Sequence, residues 1–119
     1  NIFLTGEKAE PFSGMEDADL FLMGSYYEGF PNSLLEAQAL GIPVIAFNAP
    51  GGIPEIISEE NGILVDDNDI LGFASAIQEG LSAGFNRESI IENTRKRFSV
   101  HVIVQQIEKL LLQQVEQNK

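Results

Sequence analysis

Two rhythms of apolar residues run along the chain: short solid runs and longer stripes at helical spacing. Asn1-Ile-Phe-Leu-Thr-Gly6 reads as a buried strand ending at a glycine. Asp19 to Ser25, apolar on both faces, reads as a strand in the middle of a parallel sheet covered by helices. Pro43-Val-Ile-Ala-Phe47 is a third strand, with proline at its first position where the missing N–H is tolerated. Ile63-Leu-Val65 is a fourth. Between them, Ser13-Gly-Met-Glu16 has capping-box spacing and predicts a helix of one or two turns. Helices are also predicted from about Pro31 to Leu40, closed by Gly41, and over Ile53 to Ser58. A longer one over Ile70 to Ala83 follows the Asp66–Asp69 cluster, with Ile70, Phe73, Ala74, Ile77 and Leu81 as its apolar stripe. Asn86 caps a helix that ends in Arg95-Lys-Arg97, a basic cluster suited to a C-terminal dipole. The last helix, from about Ser99 to Gln117, carries Val100, Ile103, Val104, Ile107, Leu110, Leu111 and Val115 on a face that reads as core. Its other face lacks the basic charge of a membrane-surface helix. Strands alternating with helices predict one α/β domain with a parallel sheet and ligands at the strands' carboxyl ends.

Chemistry concentrates where the second strand meets its helix, in Ser25-Tyr-Tyr-Glu-Gly-Phe-Pro-Asn-Ser-Leu-Leu-Glu36. Gly29 permits close backbone approach to a ligand, and Pro31 presets a helical φ where its missing N–H costs nothing. The amides of Asn32, Ser33 and Leu34 are then free first-turn donors at the positive end of a helix dipole. Such a junction is a common phosphate site. Glu28 and Glu36 bracket it, so the residues by themselves indicate a phosphate or sugar site and nothing narrower. Each acid also has a structural reading. Glu36 fits a capping box with Ser33, and Glu28 fits a solvated turn.

The totals change this picture in one respect. At 119 residues and 44% apolar content, with no cysteine, the chain is an ordinary single domain without disulfides or thiolate metal sites, consistent with the cytoplasm. No apolar run nears the ~20 residues of a spanning helix, and neither membrane insertion nor a secretory leader is expected. The net charge of −11 excludes nucleic acid and anionic membrane as direct partners, since both demand basic surface. It also opposes binding of a nucleotide.

The run Glu28-Gly-Phe-Pro-Asn-Ser-Leu-Leu-Glu36, continued by Ala37-Gln-Ala-Leu-Gly-Ile-Pro-Val-Ile-Ala46, resembles the Glu-x7-Glu signature of family 4 retaining glycosyltransferases of the GT-B fold. Ala18-Asp-Leu-Phe-Leu22, Gly51-Gly-Ile-Pro-Glu-Ile56 and Asn61-Gly-Ile-Leu-Val65 extend the resemblance, which fades after about Asp69. It implies a Rossmann-like parallel sheet with helices on both faces. The chain would be the later part of the C-terminal, donor-binding lobe, incomplete at its N-terminus. It implies transfer of a hexose from a nucleotide-diphosphate sugar with anomeric configuration kept, without metal or other cofactor. Glu28 would lie at the donor sugar, with the Gly29 and Phe30 amides beside it. Asn32, Ser33 and Leu34 would face the diphosphate, and Glu36 would hold the ribose hydroxyls by accepting two hydrogen bonds. Gly6 and Glu7, at the mouth of the first strand, would hold the nucleobase through backbone contacts. Glu55 reads as structural and His101 as a surface residue.

The same resemblance implies absent parts: an acceptor lobe of the same protein, the first strands of the donor lobe, and an Arg/Lys pair for the diphosphate. Lys8 is the only basic residue before Arg87, so no cation lies near the signature in sequence. The isolated chain is therefore expected to be inactive, and any membrane association to be peripheral, through the missing lobe. Two other classes fit less well. A non-catalytic interaction domain keeping this fold has no need of both acids. A flavodoxin-like receiver needs a phosphorylatable Asp ending a central strand, whereas the strand ends here are Gly6, Ser25 and Phe47-Asn48.

Overall fold

The computed structural model describes all of residues 1–119. Three parallel strands, β1 (Phe21–Met23), β2 (Val44–Phe47) and β3 (Gly62–Val65), form one sheet in the order β1-β2-β3. Phe21 pairs with Val44, and Val44 in turn with Gly62. Helix α1 (Asn32–Ala39) joins β1 to β2, and the short α2 (Ile53–Ile56) lies between β2 and β3. Three helices follow: α3 (Ile70–Ser82), α4 (Arg87–Phe98) and α5 (Val100–Gln117).

The solid apolar run of β2 is explained by its position, because all four of its residues are buried. Val44 and Ala46 face a cluster with Leu34 and Ala37 of α1 and with Ile53 and Ile56 of α2. Ile45 and Phe47 face the opposite side, packing with Val65 and with Ala76 of α3. Alternation along one strand thus fills two cores, and the sheet carries helices on both faces, as expected. Phe47 and Phe73 meet there with ring centroids 4.7 Å apart.

The caps fall where the polar residues predict. Asp69 accepts from the Gly72 amide at 2.9 Å, and Asn86 from the Ser89 amide at 2.9 Å. Gly41, at φ +77°, ends α1 in the left-handed conformation that glycine alone adopts without strain. Arg87, from the start of α4, donates to the carbonyls of Leu40 and Glu16, tying the end of α1 to the later helices.

Five expectations are corrected. Asn1–Gly6 forms no strand. Ile2, Phe3 and Leu4 are each at least 81% exposed, and no hydrogen bond involves residues 1–9. A strand exists only by pairing, and no strand here lies beside this segment. Ser13–Glu16 forms successive turns rather than a helix, with Glu16 accepting from the Gly14 amide two residues earlier instead of from the Ser13 amide. β1 is an edge strand and not a central one, so Leu22 is half-exposed. The apolar face of α5 is not core. No residue of this helix is buried, and α5 extends from the end of α4 in a molecule measuring 62 × 30 × 29 Å. In α3 the packed face is displaced from the predicted stripe. Ala76 and Gly80 are buried and Phe73 and Ile77 partly so, while Ile70, Ala74 and Leu81 are exposed.

Candidate functional site

Because the strands are parallel, the segments that follow β1 and β2 leave the sheet from the same end. They meet there. Glu28 and Gly51 form an isolated parallel bridge, in which the Glu28 amide donates to Pro50 O at 3.3 Å. The Gly52 amide donates to the carbonyls of Glu28 at 3.2 Å and Gly29 at 3.1 Å. Gly51 sits at φ +116°, and a Cβ there would run into the Glu28 carbonyl. The backbone of Glu28 is therefore fixed by a loop more than twenty residues later. Its side chain, partly buried, accepts a hydrogen bond from Ser25 Oγ at 2.7 Å through Oε1. One carboxylate edge is occupied and the other carries no protein partner.

Beyond this turn, α1 begins at Asn32 with Pro31 as its N-cap and no side-chain cap. The first intrahelical donor is the Leu35 amide, to Pro31 O. The amides of Asn32, Ser33 and Leu34 donate to no protein group, as in the first turn of any helix without a side-chain cap. Only the amide of Leu34 is a candidate contact, because its side chain is fully buried in the core.

Glu36 is exposed, and its side chain makes no hydrogen bond or ion pair. The capping-box reading of this residue is thereby corrected: α1 starts two residues earlier than that motif needs, placing Ser33 inside the first turn and not at the cap. Glu36 faces a groove of about 350 Å³ between α1 and α4, whose walls include Leu35, Ala39, Ile91, Arg95 and Phe98. Arg95 is a cation that linear distance had concealed. It comes from the basic cluster and forms no ion pair. Lys96 instead pairs with Glu92 at 2.8 Å, and this hydrogen bond and charge hold the Glu92 carboxyl below its usual range. Arg97 does not serve its own helix end. It donates to the carbonyls of Glu55 and Ile56 at the end of α2.

Glu28, Gly29, Phe30 and the first turn of α1 are thus brought together with the β2–α2 loop. Gly6 and Glu7 are not, since they lie in the exposed, unpaired N-terminal segment, and the strand mouth on which their assignment rested does not form. Sequence reasoning placed Ser25 at the strand end without a role and missed Gly51 and Phe98. Of these, only the Gly51-Gly52 pair carried a visible signal, as a loop with two adjacent glycines. Glu55 contributes through its backbone carbonyl alone, and His101 is exposed.

A parallel sheet with helices on both faces and an acid-flanked helix start at its carboxyl end defines an α/β protein of the Rossmann-like class. The chain belongs to the family described as "Glycosyl transferases group 1", which matches residues 1–97. It is 32% identical over 114 residues to the capsular polysaccharide biosynthesis glycosyltransferase CapM of Staphylococcus aureus, covering 92% of this chain and 30% of that protein. It is 36% identical over 63 residues to the UDP-Gal:alpha-D-GlcNAc-diphosphoundecaprenol alpha-1,3-galactosyltransferase of Escherichia coli, covering 53% of this chain and 16% of that protein. Its fold matches that of the lipopolysaccharide outer core galactosyltransferase WaaB in its apo form, with a TM-score of 0.80 at 24% identity, over 90% of this chain and 32% of that one. The chain therefore spans less than a third of each of these proteins. The family and the fold exclude the receiver-domain reading. No helix is long and apolar enough to cross a membrane.

Proposed function

We propose that this chain supplies part of the donor site of a retaining family 4 glycosyltransferase, which moves a hexose from a nucleotide-diphosphate sugar to an acceptor. The observation that carries the reading is the state of the signature acids. Glu28 is held in place by Ser25 and Gly51, and the Glu36 side chain stands without any structural partner, on either side of three unengaged amides. In this reading Glu28 contacts the donor sugar with the Gly29 and Phe30 amides beside it, Glu36 accepts from the ribose hydroxyls, and the Asn32, Ser33 and Leu34 amides meet the diphosphate. The phosphate charge is met by the helix dipole and basic side chains, and not by a metal ion. The relatives' printed names support a nucleotide-sugar donor and an alpha-linked product, the outcome that retention gives from an α-linked donor.

The chemistry assigned to these residues is positioning together with stabilisation of the leaving diphosphate. Orientation of the acceptor belongs to a further lobe of the same protein, and the nucleobase contact of Gly6 and Glu7 depends on strands outside this chain. We place the reaction in the cytoplasm, with membrane association through that other lobe. The test is calorimetric titration of the full-length protein with nucleotide-diphosphate sugars, paired with a transfer assay that reads the anomeric configuration of the product. Donor binding with retention is the expected result. Inversion, or no binding of any nucleotide sugar, would overturn the reading, the latter in favour of a non-catalytic interaction domain.

A further inference from the structure

The segment Glu28–Phe30 is short, lies outside any strand or helix, and would need support to hold a carboxylate in one place. One support has been described: the β2–α2 loop, whose Gly52 amide donates to the Glu28 and Gly29 carbonyls. That support is itself weak. Gly52 is the N-cap of α2, a helix of four residues, far too short to be stable on its own. The last carbonyls of such a helix have no partners within it; in α2 the Asn61 side chain donates to Ile56 O at 3.1 Å, and Glu55 O has no such partner on its own side.

We propose that Arg97 and Phe98, the final two residues of α4, are positioning residues that clamp the donor turn from both sides. Arg97 reaches α2, donating through Nη1 to Ile56 O at 3.3 Å and through Nη2 to Glu55 O. It thereby holds the end of the short helix whose N-cap, Gly52, anchors Glu28. Phe98 reaches the turn directly, its ring meeting that of Phe30 edge-on, with centroids 6.2 Å apart at an interplanar angle of 61°. The Arg97 guanidinium lies over the Phe98 ring, 4.6 Å from its centroid, so the two arms brace each other. Neighbouring residues on a helix point about 100° apart, which lets one helix end grip two separate segments. Without Phe98, Phe30 would have little to hold it, since it is already half-exposed. Phe98 also forms a wall of the groove that Glu36 faces; the role proposed here for both residues is positioning. Their effect passes through Phe30, Gly52 and the backbone of Glu28.

The claim that the clamp serves donor chemistry rests on the reading of Glu28 given above, whereas the clamp itself can be tested without it. Amide hydrogen exchange in the 119-residue chain reads it directly. Phe98→Leu and Arg97→Gln should each speed exchange at the Glu28 and Gly52 amides by about fivefold or more while leaving the β2 amides unchanged, and Phe98→Tyr should retain the slow rate. Unchanged rates at Glu28 and Gly52 would overturn the proposal. So would an equal acceleration at all amides, which would mean general loosening of the fold. In the full-length enzyme the same variants should lower kcat more than they raise the donor KM, because a displaced turn misplaces a carboxylate without removing a contact group. A rise in KM alone would overturn the donor role of the clamp. Absence of transfer by the unaltered enzyme would overturn the function assigned to the site, and the exchange rates would still decide whether the clamp exists.

Discussion

Ser25 Oγ donates to Glu28 Oε1 at 2.7 Å, across the turn that carries the chain from the end of β1 into α1. The hydroxyl restrains the carboxylate's rotamer, so one oxygen is held by the protein while the other carries no protein partner. In the full-length enzyme, Glu28→Ala should lower turnover by more than about tenfold, equivalent to ~1.4 kcal/mol of barrier. Ser25→Ala should lower it less, and Ser25→Thr should preserve it. Turnover at saturating donor is the measurement. Near-normal turnover in Glu28→Ala would return this acid to the role of a solvated turn residue.

Gly51→Ala tests the backbone half of the same arrangement. The residue is at φ +116°, and its absent Cβ is what allows the Glu28 carbonyl to approach. Alanine there should cost more than ~1 kcal/mol in a urea melt, from a strained conformation and a broken bridge. Exchange of the Glu28 amide, which donates to Pro50 O, should rise with it. A stability equal to that of the original chain would mean that the bridge is incidental.

Glu36→Gln separates binding from folding. Because the Glu36 side chain makes no hydrogen bond and caps nothing, its replacement should leave the melting temperature within about a degree, as for a surface change of under ~0.5 kcal/mol. Donor affinity in the full-length enzyme should fall by about tenfold, since an amide oxygen is a weaker acceptor for ribose hydroxyls than a carboxylate. Unchanged donor affinity in a titration would remove Glu36 from the site.

The isolated 119-residue chain should transfer no sugar and should bind a nucleotide-diphosphate donor more weakly than about 100 μM, on the usual scale of partial sites. Its free α1 amides provide a dipole contribution of only ~0.3–1 kcal/mol when exposed. The net charge of −11 opposes the approach of a phosphate, an effect that raised salt should relieve. Arg95, in the groove with Glu36, works in the other direction, and Arg95→Gln should weaken whatever binding remains. Calorimetry at low and moderate salt measures both. Micromolar affinity would show that Arg95 and its neighbours meet the diphosphate by themselves.

Periodicity and turn chemistry determined the elements that depend only on their own residues. The solid run of β2 could be nothing but a strand covered on both faces, Asp69 and Asn86 marked their helix starts, and Gly41 marked the end of α1. The run from Glu28 to Glu36 likewise marked the candidate site, through its resemblance to a family signature. What needed the tertiary structure was everything that depends on a partner distant in sequence. Asn1–Gly6 has the composition of a strand, yet pairing is a property of two segments and none lies beside it. The apolar face of α5 has core periodicity, yet burial requires a surface to cover it. Arg95 and Arg97 stand some sixty residues from the signature, and α4 returns them to α1 and α2. Gly51 shows the limit most plainly. A glycine pair in a loop signals freedom of the backbone, but only the folded chain shows that this freedom admits the carbonyl of Glu28.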